Sequence, residues 1–234
     1  MRKRPASVRF LNFLVSRLKP SKLVFAVALV SIQPPLLPKN FLPVPLVRQA
    51  TSYSCGAASL MSVLSYWSVF DDSESSLYRK IGTTSEDGTE PEPMAAHARA
   101  LGLSAEVLRN QTQADLRRAL ERGETWILDI EAWPSDRIFW ASAVSMVSRA
   151  DHNWSGDWDN GHYVVLVGID EQYAYLMDPS VLASYSYIPL SELDARWHDV
   201  ELQNGVNQKI QHLAIRVSGS NPALNFPRAL VKTE

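Results

Sequence analysis

Apolar positions in this chain follow a helical period in the first half and a strand-like pattern in the second. From Ala57 to Trp67 they recur every three or four residues, which predicts an amphipathic helix that runs to about Phe70. Shorter helical patterns are predicted at 74–81, from Thr89 or Pro91 to Gly102, at 113–122 behind a Thr112 cap, and at 190–197. Apolar or alternating runs predict strands at 103–108, 126–130, 163–169, 173–177, 185–188 and 210–217. Helices that precede strands favour an α+β domain with an antiparallel sheet.

The two ends of the chain differ in composition from this central part. Residues 1–22 are basic and 23–32 form a short apolar run, which predicts a secretory signal peptide or an uncleaved membrane anchor over 1–32. An organelle transit peptide, or a first helix and strand of the fold, are the alternatives. Five prolines predict an extended linker over 33–45. The globular domain is therefore predicted at 46–218, with a C-terminal tail at 219–234.

Charge is distributed unevenly along the chain. Residues 1–40 hold eight of the 23 Lys and Arg residues and no acid, so the remainder has 15 basic residues against 25 acidic ones, a net charge of −10. A domain this acidic is a poor partner for nucleic acid. The basic leader is instead consistent with export to the periplasm, or with an inner-membrane anchor that leaves the domain facing outward. No oligomeric state follows from the sequence.

Cys55 is the single cysteine, and it stands where a polar turn becomes the first predicted helix. Unpaired N–H groups and the positive end of the helix dipole stabilise a thiolate at such a position. A lone cysteine is also commonly a small buried apolar residue. Gln49, six residues upstream, favours the reactive alternative, because a side-chain amide beside a thiol can donate a hydrogen bond to an oxyanion.

His162 is the histidine that the predicted strands place beside an acid. A turn at 170–172 would fold 163–169 back against 173–177 and bring His162 next to Asp178, which precedes a proline and must end its strand. A neighbouring carboxylate supports the charged form of a histidine, which can in turn activate a thiol. The other candidate bases, His97, His198 and His212, are interpreted as structural residues.

These motifs carry a resemblance to a known family. Gln49 with Cys55-Gly56, then Gly-His-Tyr-Val-Val-Leu-Val-Gly-Ile-Asp around His162 and Leu-Met-Asp-Pro-Ser around Asp178, resemble the papain-like cysteine peptidases that process double-glycine bacteriocin leaders, and their stand-alone relatives. The likeness covers about residues 43–217. It implies a papain-like fold in which the catalytic helix packs on an antiparallel sheet, and an enzyme that cleaves peptides without a cofactor.

The resemblance also implies a role for each matched residue. Cys55 would be the nucleophile, His162 the general acid and base, and Asp178 the acid that orients the histidine. Gln49 would be one oxyanion donor and the backbone N–H of Cys55 the other. Acyl or peptidyl transfer on the same fold, and a peptide-binding module without catalysis, remain alternatives.

The stretch 132–160 has the least clear pattern of apolar positions. It is predicted to form a helix or a mobile flap at 136–149, followed by a polar loop. A cluster of potential ligands there invites comparison with a metal site, namely Asp151, His152, Asp157, Asp159 and His162. Neither the calcium-loop nor the HExxH spacing is present, so no metal is predicted. Four tryptophans precede His162 and are predicted to be core residues or to line a peptide cleft, namely Trp133, Trp140, Trp154 and Trp158.

Overall fold

A computed structural model describes residues 37–134, 152–203 and 206–223. The helices in these ranges are α1 (Cys55–Tyr66), α2 (Glu74–Ile81), α3 (Pro91–Ala100), α4 (Gln113–Glu121) and α5 (Leu190–Arg196). The strands are β1 (Ser104–Leu108), β2 (Thr125–Glu131), β3 (Gly161–Ile169), β4 (Tyr173–Met177), β5 (Ser186–Pro189), β6 (His198–Gln203), β7 (Val206–Gln211) and β8 (Ala214–Ser218). A single turn of 3-10 helix, Trp154–Gly156, precedes β3.

Six strands form the central sheet in the order β1-β8-β2-β3-β4-β5, and every neighbouring pair is antiparallel. The strands β6 and β7 form a separate two-stranded sheet. Strand β2 is buried along its whole length and β3 from its second residue on, as expected for strands in the middle of a domain. The predictions of an α+β domain and of an antiparallel sheet are confirmed.

Helix α1 begins at Cys55, as predicted, and ends at Tyr66, four residues before the predicted end. Ser68 has a positive φ of 59°, a left-handed conformation that cannot continue a helix. Trp67, just after the helix, donates its indole N–H to Thr125 Oγ1 at 2.9 Å. The chain therefore leaves the helix where a buried hydrogen bond ties it to β2.

The β3–β4 hairpin turns at Asp170, as predicted. The Asp170 carboxylate accepts hydrogen bonds from the backbone N–H groups of Gln172 and Tyr173, at 2.7 and 2.8 Å. Such a local bond stabilises a tight turn. An irregularity between Leu166 and Gly168 shifts the register by one residue, so the pairing differs slightly from the predicted one.

The prediction of one strand over 210–217 was wrong. His212 has a positive φ of 51°, which interrupts the extended chain and leaves β7 and β8 in different sheets. Strand β6 was not predicted at all. Strand β7 is mostly exposed, with Val206 60% accessible, so the pattern of this hairpin lacks the buried apolar face that identifies a strand.

The described part of the proline-rich segment is extended and packs on the domain. Leu42 and Val44 are buried in the core, and the N–H of Leu42 donates to the carbonyl of Val167 at 2.7 Å. The predicted leader 1–32, the whole of the 136–149 segment and the tail beyond 223 lie outside the described residues. Within the ranges described, no helix combines the length and apolar character needed to cross a membrane.

Helix α1 approaches β3 closely at Gly56, the residue after Cys55. A Cβ at Gly56 would lie 2.8 Å from Thr89 Cβ and 3.1 Å from the Tyr163 ring, both well inside normal contact distance. Thr89 and Tyr163 are themselves buried. The absence of a side chain at Gly56 therefore allows the start of α1 to reach the sheet.

We expect Gly56→Ala to destabilise the protein. Alanine is favoured over glycine within a helix by about 1 kcal/mol, but overpacking a buried contact typically costs about 1–3 kcal/mol. The clash should win, with a net loss of about 1 kcal/mol or more in the free energy of unfolding measured in urea. Gly156→Ala is the matched control, because its nearest neighbour would be 3.6 Å away. A Gly56→Ala protein as stable as the wild type would contradict this account of the packing.

Candidate active site

Cys55 is the first residue of α1, next to a tight turn that fixes the start of the helix. The Ser54 hydroxyl accepts a hydrogen bond from the N–H of Thr51 at 3.1 Å and donates to its carbonyl at 3.3 Å. Ser54 itself is fully buried, whereas Cys55 is partly exposed. The thiol thus stands at the positive end of the helix dipole and remains accessible, the combination typical of reactive cysteines.

His162 and Asp178 meet at the open end of the β3–β4 hairpin. His162 is the second residue of β3, and Asp178 follows the last residue of β4. The Nε2 of His162 lies 2.7 Å from Asp178 Oδ1. The same carboxylate oxygen accepts bonds from the N–H and the hydroxyl of Ser180, at 2.8 and 2.7 Å.

The imidazole of His162, bonded to Asp178, also lies within hydrogen-bonding reach of the Cys55 thiol. Because Asp178 engages Nε2, the Nδ1 atom is the nitrogen left for the thiol. His162 is only 2% exposed, so both contacts are shielded from water. Strand pairing and helix packing therefore bring together Cys55, His162 and Asp178, which are far apart in the sequence.

These contacts favour a charged histidine. Burial alone would lower the pKa of His162, but hydrogen bonds to Asp178 and Cys55 and their negative charges raise it to about 9. Burial opposes ionisation of Asp178, yet the bonds from His162 and Ser180 hold its pKa below the ordinary value. At neutral pH the pair is an imidazolium and a carboxylate.

Gln49 connects the two sides of this site. Its backbone N–H donates to the carbonyl of Pro179 at 3.0 Å, next to Asp178. Its side-chain Nε2 donates to the carbonyl of Thr51 at 2.7 Å, within the turn that leads to Cys55. One of the two Nε2 hydrogens is used in this bond, and the other is available for a ligand.

The tryptophans divide into two groups. The Trp133 ring lies 5.0 Å from the imidazole of His162, between centroids, and is 47% exposed. Trp154 is buried under the guanidinium of Arg196, and Trp158 packs between His198 and Lys209. Trp133 is therefore the one of these three that presents an open aromatic face beside the histidine. Trp140 lies outside the described residues.

Of the other four described histidines, His97 lies in α3 and the remaining three have partners elsewhere. His152 pairs with Asp157 at 2.5 Å, His198 bonds to the carbonyl of Asp157, and His212 bonds to the carbonyl of Gln111. Across the ranges that are described, no three His, Cys, Asp or Glu side chains are arranged to hold a metal ion.

Sequence reasoning missed two residues that support the site. Ser180 fixes the carboxylate of Asp178, and an Asp followed two residues later by serine was an available signal, since aspartate side chains bond to nearby backbone N–H groups. Thr89 packs against Gly56, and no local sequence pattern predicts a contact between residues so far apart in the chain.

The arrangement suits acyl transfer. A thiol at a helix N-terminus lies beside a charged histidine, a carboxylate holds that histidine, and the helix start offers backbone N–H groups. Such a set can attack a carbonyl carbon, stabilise the resulting oxyanion and protonate a leaving amine.

Comparison with known proteins gives a family and a fold. The sequence model of the Peptidase_C39 like family matches residues 41–204. A C39-like peptidase from Bacillus anthracis, described as putative, is 18% identical, with a TM-score of 0.51 over 77% of this chain and 98% of that one. The peptidase domain of Streptococcus ComA, a bi-functional ABC transporter involved in quorum sensing, is 17% identical, with a TM-score of 0.51 over 76% and 99%.

A third structure, the double glycine motif protease from an AMS/PCAT transporter in complex with the leader peptide, is 22% identical and covers 80% of this chain and 97% of that one, with a TM-score of 0.48. Curated protein sequences give no significant match. The two structures with the higher TM-scores show the papain-like fold expected from the sequence. Because the family model covers well over half of the chain, the protein belongs to the Peptidase_C39 like family, and family and fold together support a cysteine peptidase.

Proposed function

We propose that this protein cleaves peptide bonds with Cys55 as the nucleophile and His162 as the general acid and base. Asp178 orients the imidazole, and Gln49 stabilises the oxyanion together with the backbone N–H of Cys55. The observation that supports the proposal is the position of His162, which hydrogen-bonds to Asp178 and lies within interaction distance of the Cys55 thiol. A structural cysteine has no need of a charged, buried histidine held in this way.

The first half of the reaction forms a thioester. The Cys55 thiolate attacks the carbonyl carbon of the scissile bond, and the carbonyl oxygen becomes an oxyanion bound by the two N–H donors. The intermediate collapses, the C–N bond breaks, and His162 gives its proton to the departing amine.

The second half releases the acid product. His162, now neutral, takes a proton from a water molecule that attacks the thioester carbonyl. The C–S bond breaks, and the thiolate and the imidazolium return to their starting states. Asp178 stays ionised throughout, because the pKa of its carboxyl is lowered by His162 and Ser180.

The exposed face of Trp133 supports a peptide as the substrate, since it offers an apolar surface directly beside His162. The basic and apolar composition of residues 1–32 supports the further proposal that the enzyme acts outside the cytoplasm.

The pH dependence of Cys55 alkylation by iodoacetamide tests the pairing. The imidazolium of His162 is fully present below about pH 6.5 and is lost as the pH rises through about 9, so the wild-type rate should stay nearly constant from pH 6 to 8. An ordinary thiol, with a pKa of about 8.5, would slow about tenfold for each unit below that value. We therefore expect His162→Ala to lose about 100-fold at pH 6 and little at pH 9.

Cys55 is the single cysteine, so the label reports on one site. His212→Ala is the matched control, because His212 bonds to the carbonyl of Gln111 and should leave the profile unchanged. If His162→Ala retains the wild-type pH profile of alkylation, Cys55 and His162 do not form an ion pair and the proposed catalytic role fails.

Gln49→Ala should separate catalysis from thiol activation. Loss of an oxyanion donor typically lowers kcat by about 100- to 1,000-fold, because the bond is strongest in the transition state. The alkylation rate of Cys55 should change less than threefold, since no oxyanion forms in that reaction. Cleavage of a peptide library, followed by mass spectrometry, supplies a substrate for the kcat measurement. Equal losses in alkylation and cleavage would instead assign Gln49 to the structure of the Thr51 turn.

A further inference from the structure

Two acidic side chains outside the catalytic set join the central sheet to the β6–β7 hairpin. Asp129 is in the middle of β2 and only 3% exposed, and Asp199 is the second residue of β6. Asp199 packs at Gly161, on the face of the sheet that also carries Asp129, and the two carboxyl groups are within hydrogen-bonding reach of each other. A bond between two carboxyl groups requires a proton on one of them.

The pair lies behind the strand that carries His162. Asp129 is opposite Tyr163 in the β2–β3 register, and Glu131 is opposite Gly161. A Cβ at Gly161 would overlap the carboxyl group of Asp199, so this carboxyl lies directly against the backbone of Gly161. Any residue larger than glycine at position 161 would need the space that the Asp199 carboxyl occupies. Gly161 immediately precedes His162, so this contact lies next to the histidine.

The surroundings favour a single shared proton. The groups that face Asp129 are the Cys55 thiol from α1, Tyr163 from β3, and Asp199 and Glu201 from β6. Burial first, and then the negative charge of Asp199, raise the pKa of Asp129 well above its ordinary value. Asp199 also lies near His198 and Glu201, and accepts a bond from the N–H of Val200. Burial raises the pKa of Asp199 as well, but the bonds from Val200 and Asp129 oppose that rise, so a shared proton resides mainly on Asp129.

A shared proton accounts for the close approach of Asp129 and Asp199 better than a bound metal cation does. One oxygen of Asp129 is buried and makes no hydrogen bond within the described ranges. Glu131 lies on the same face of the sheet, but in the described residues these acids do not form a three-ligand site. Neutralisation by one proton needs only the two carboxyl groups that already touch.

We propose that Asp129 and Asp199 share one proton and act as a positioning pair, which holds the β6–β7 hairpin against Gly161 and so fixes His162 in front of Cys55. The positioning role rests on the proposed function of His162, whereas the shared proton does not. A C39-like domain of this kind would thus use an acid–acid contact, distant from the substrate, to keep its histidine in place.

The shared proton is tested by unfolding the full-length protein in urea between pH 5 and pH 7. The folded state keeps a proton that the unfolded carboxyl, with a pKa near 4, has released, so wild-type stability should fall as the pH rises. Asp129→Asn keeps the donor but cannot titrate. The ratio of the wild-type to the variant folding constant should therefore fall about tenfold per pH unit. If the stabilities of the wild type and of Asp129→Asn change with pH in the same way, the proposal is overturned.

Asp71→Asn is the matched control for this measurement. Asp71 is an exposed acid in the loop after α1, so its replacement should leave the pH dependence of stability unchanged. Asp159 is unsuitable, because its charge acts on Glu131. The urea experiment needs no peptidase activity, and therefore a failure of the proposed function would not alter its result.

The positioning role is tested with Asp199, whose carboxyl lies directly against Gly161. Asp199→Asn preserves a hydrogen bond to residue 129, whereas Asp199→Ala removes it. We expect Asp199→Ala to lower the alkylation rate of Cys55 at pH 6 at least tenfold and to leave the rate at pH 9 nearly unchanged, while Asp199→Asn stays within threefold at both. A general loss of structure would change both rates together, and that result, or no change in either variant, would overturn the positioning role.

Discussion

The hydrogen bond between His162 and Asp178 is the contact on which the rest of the site depends. It exists because the Asp170 turn folds β3 back on β4, so that the residue near the start of one strand meets the residue just past the end of the other. The irregularity between Leu166 and Gly168 adjusts this register along the hairpin. Once the carboxylate holds Nε2, the imidazole has a single orientation and only one nitrogen left for a nucleophile.

The nucleophile reaches that nitrogen through close backbone packing rather than through a long side chain. A cysteine side chain is short, so α1 must bring its first turn almost onto β3, and Gly56 makes this possible beside Thr89 and Tyr163. Gln49 then spans the gap by two bonds, one to the Thr51 carbonyl and one to the Pro179 carbonyl. Gln49 therefore couples the loop after Asp178 to the turn before Cys55, so the proposed oxyanion donor is also part of the frame of the site.

Local patterns in the sequence predict several helices and the β3–β4 turn well. The α1 period, the Thr112 cap and the Asp170 turn each depend on residues within one or two turns of chain, and the structure bears them out. The β6–β7 hairpin was missed because its exposed residues lack an apolar face, and the break at His212 depends on a backbone angle that composition does not reveal. Contacts such as Asp129 with Asp199 join residues seventy positions apart, and no periodicity encodes them.

The charge balance around His162 favours protonated forms of the acids that lie behind it. The chain beyond its basic leader is strongly acidic, yet the proposed chemistry needs a thiolate and a carboxylate beside one imidazolium. An ionised Asp129 would add a third negative charge near Cys55, in surroundings where charges are poorly screened. Burial, with the charges of nearby acids, also raises the pKa of Glu131 to about 7. The proton proposed for Asp129 would limit the negative charge behind the histidine and leave the imidazolium to pair with Cys55 and Asp178.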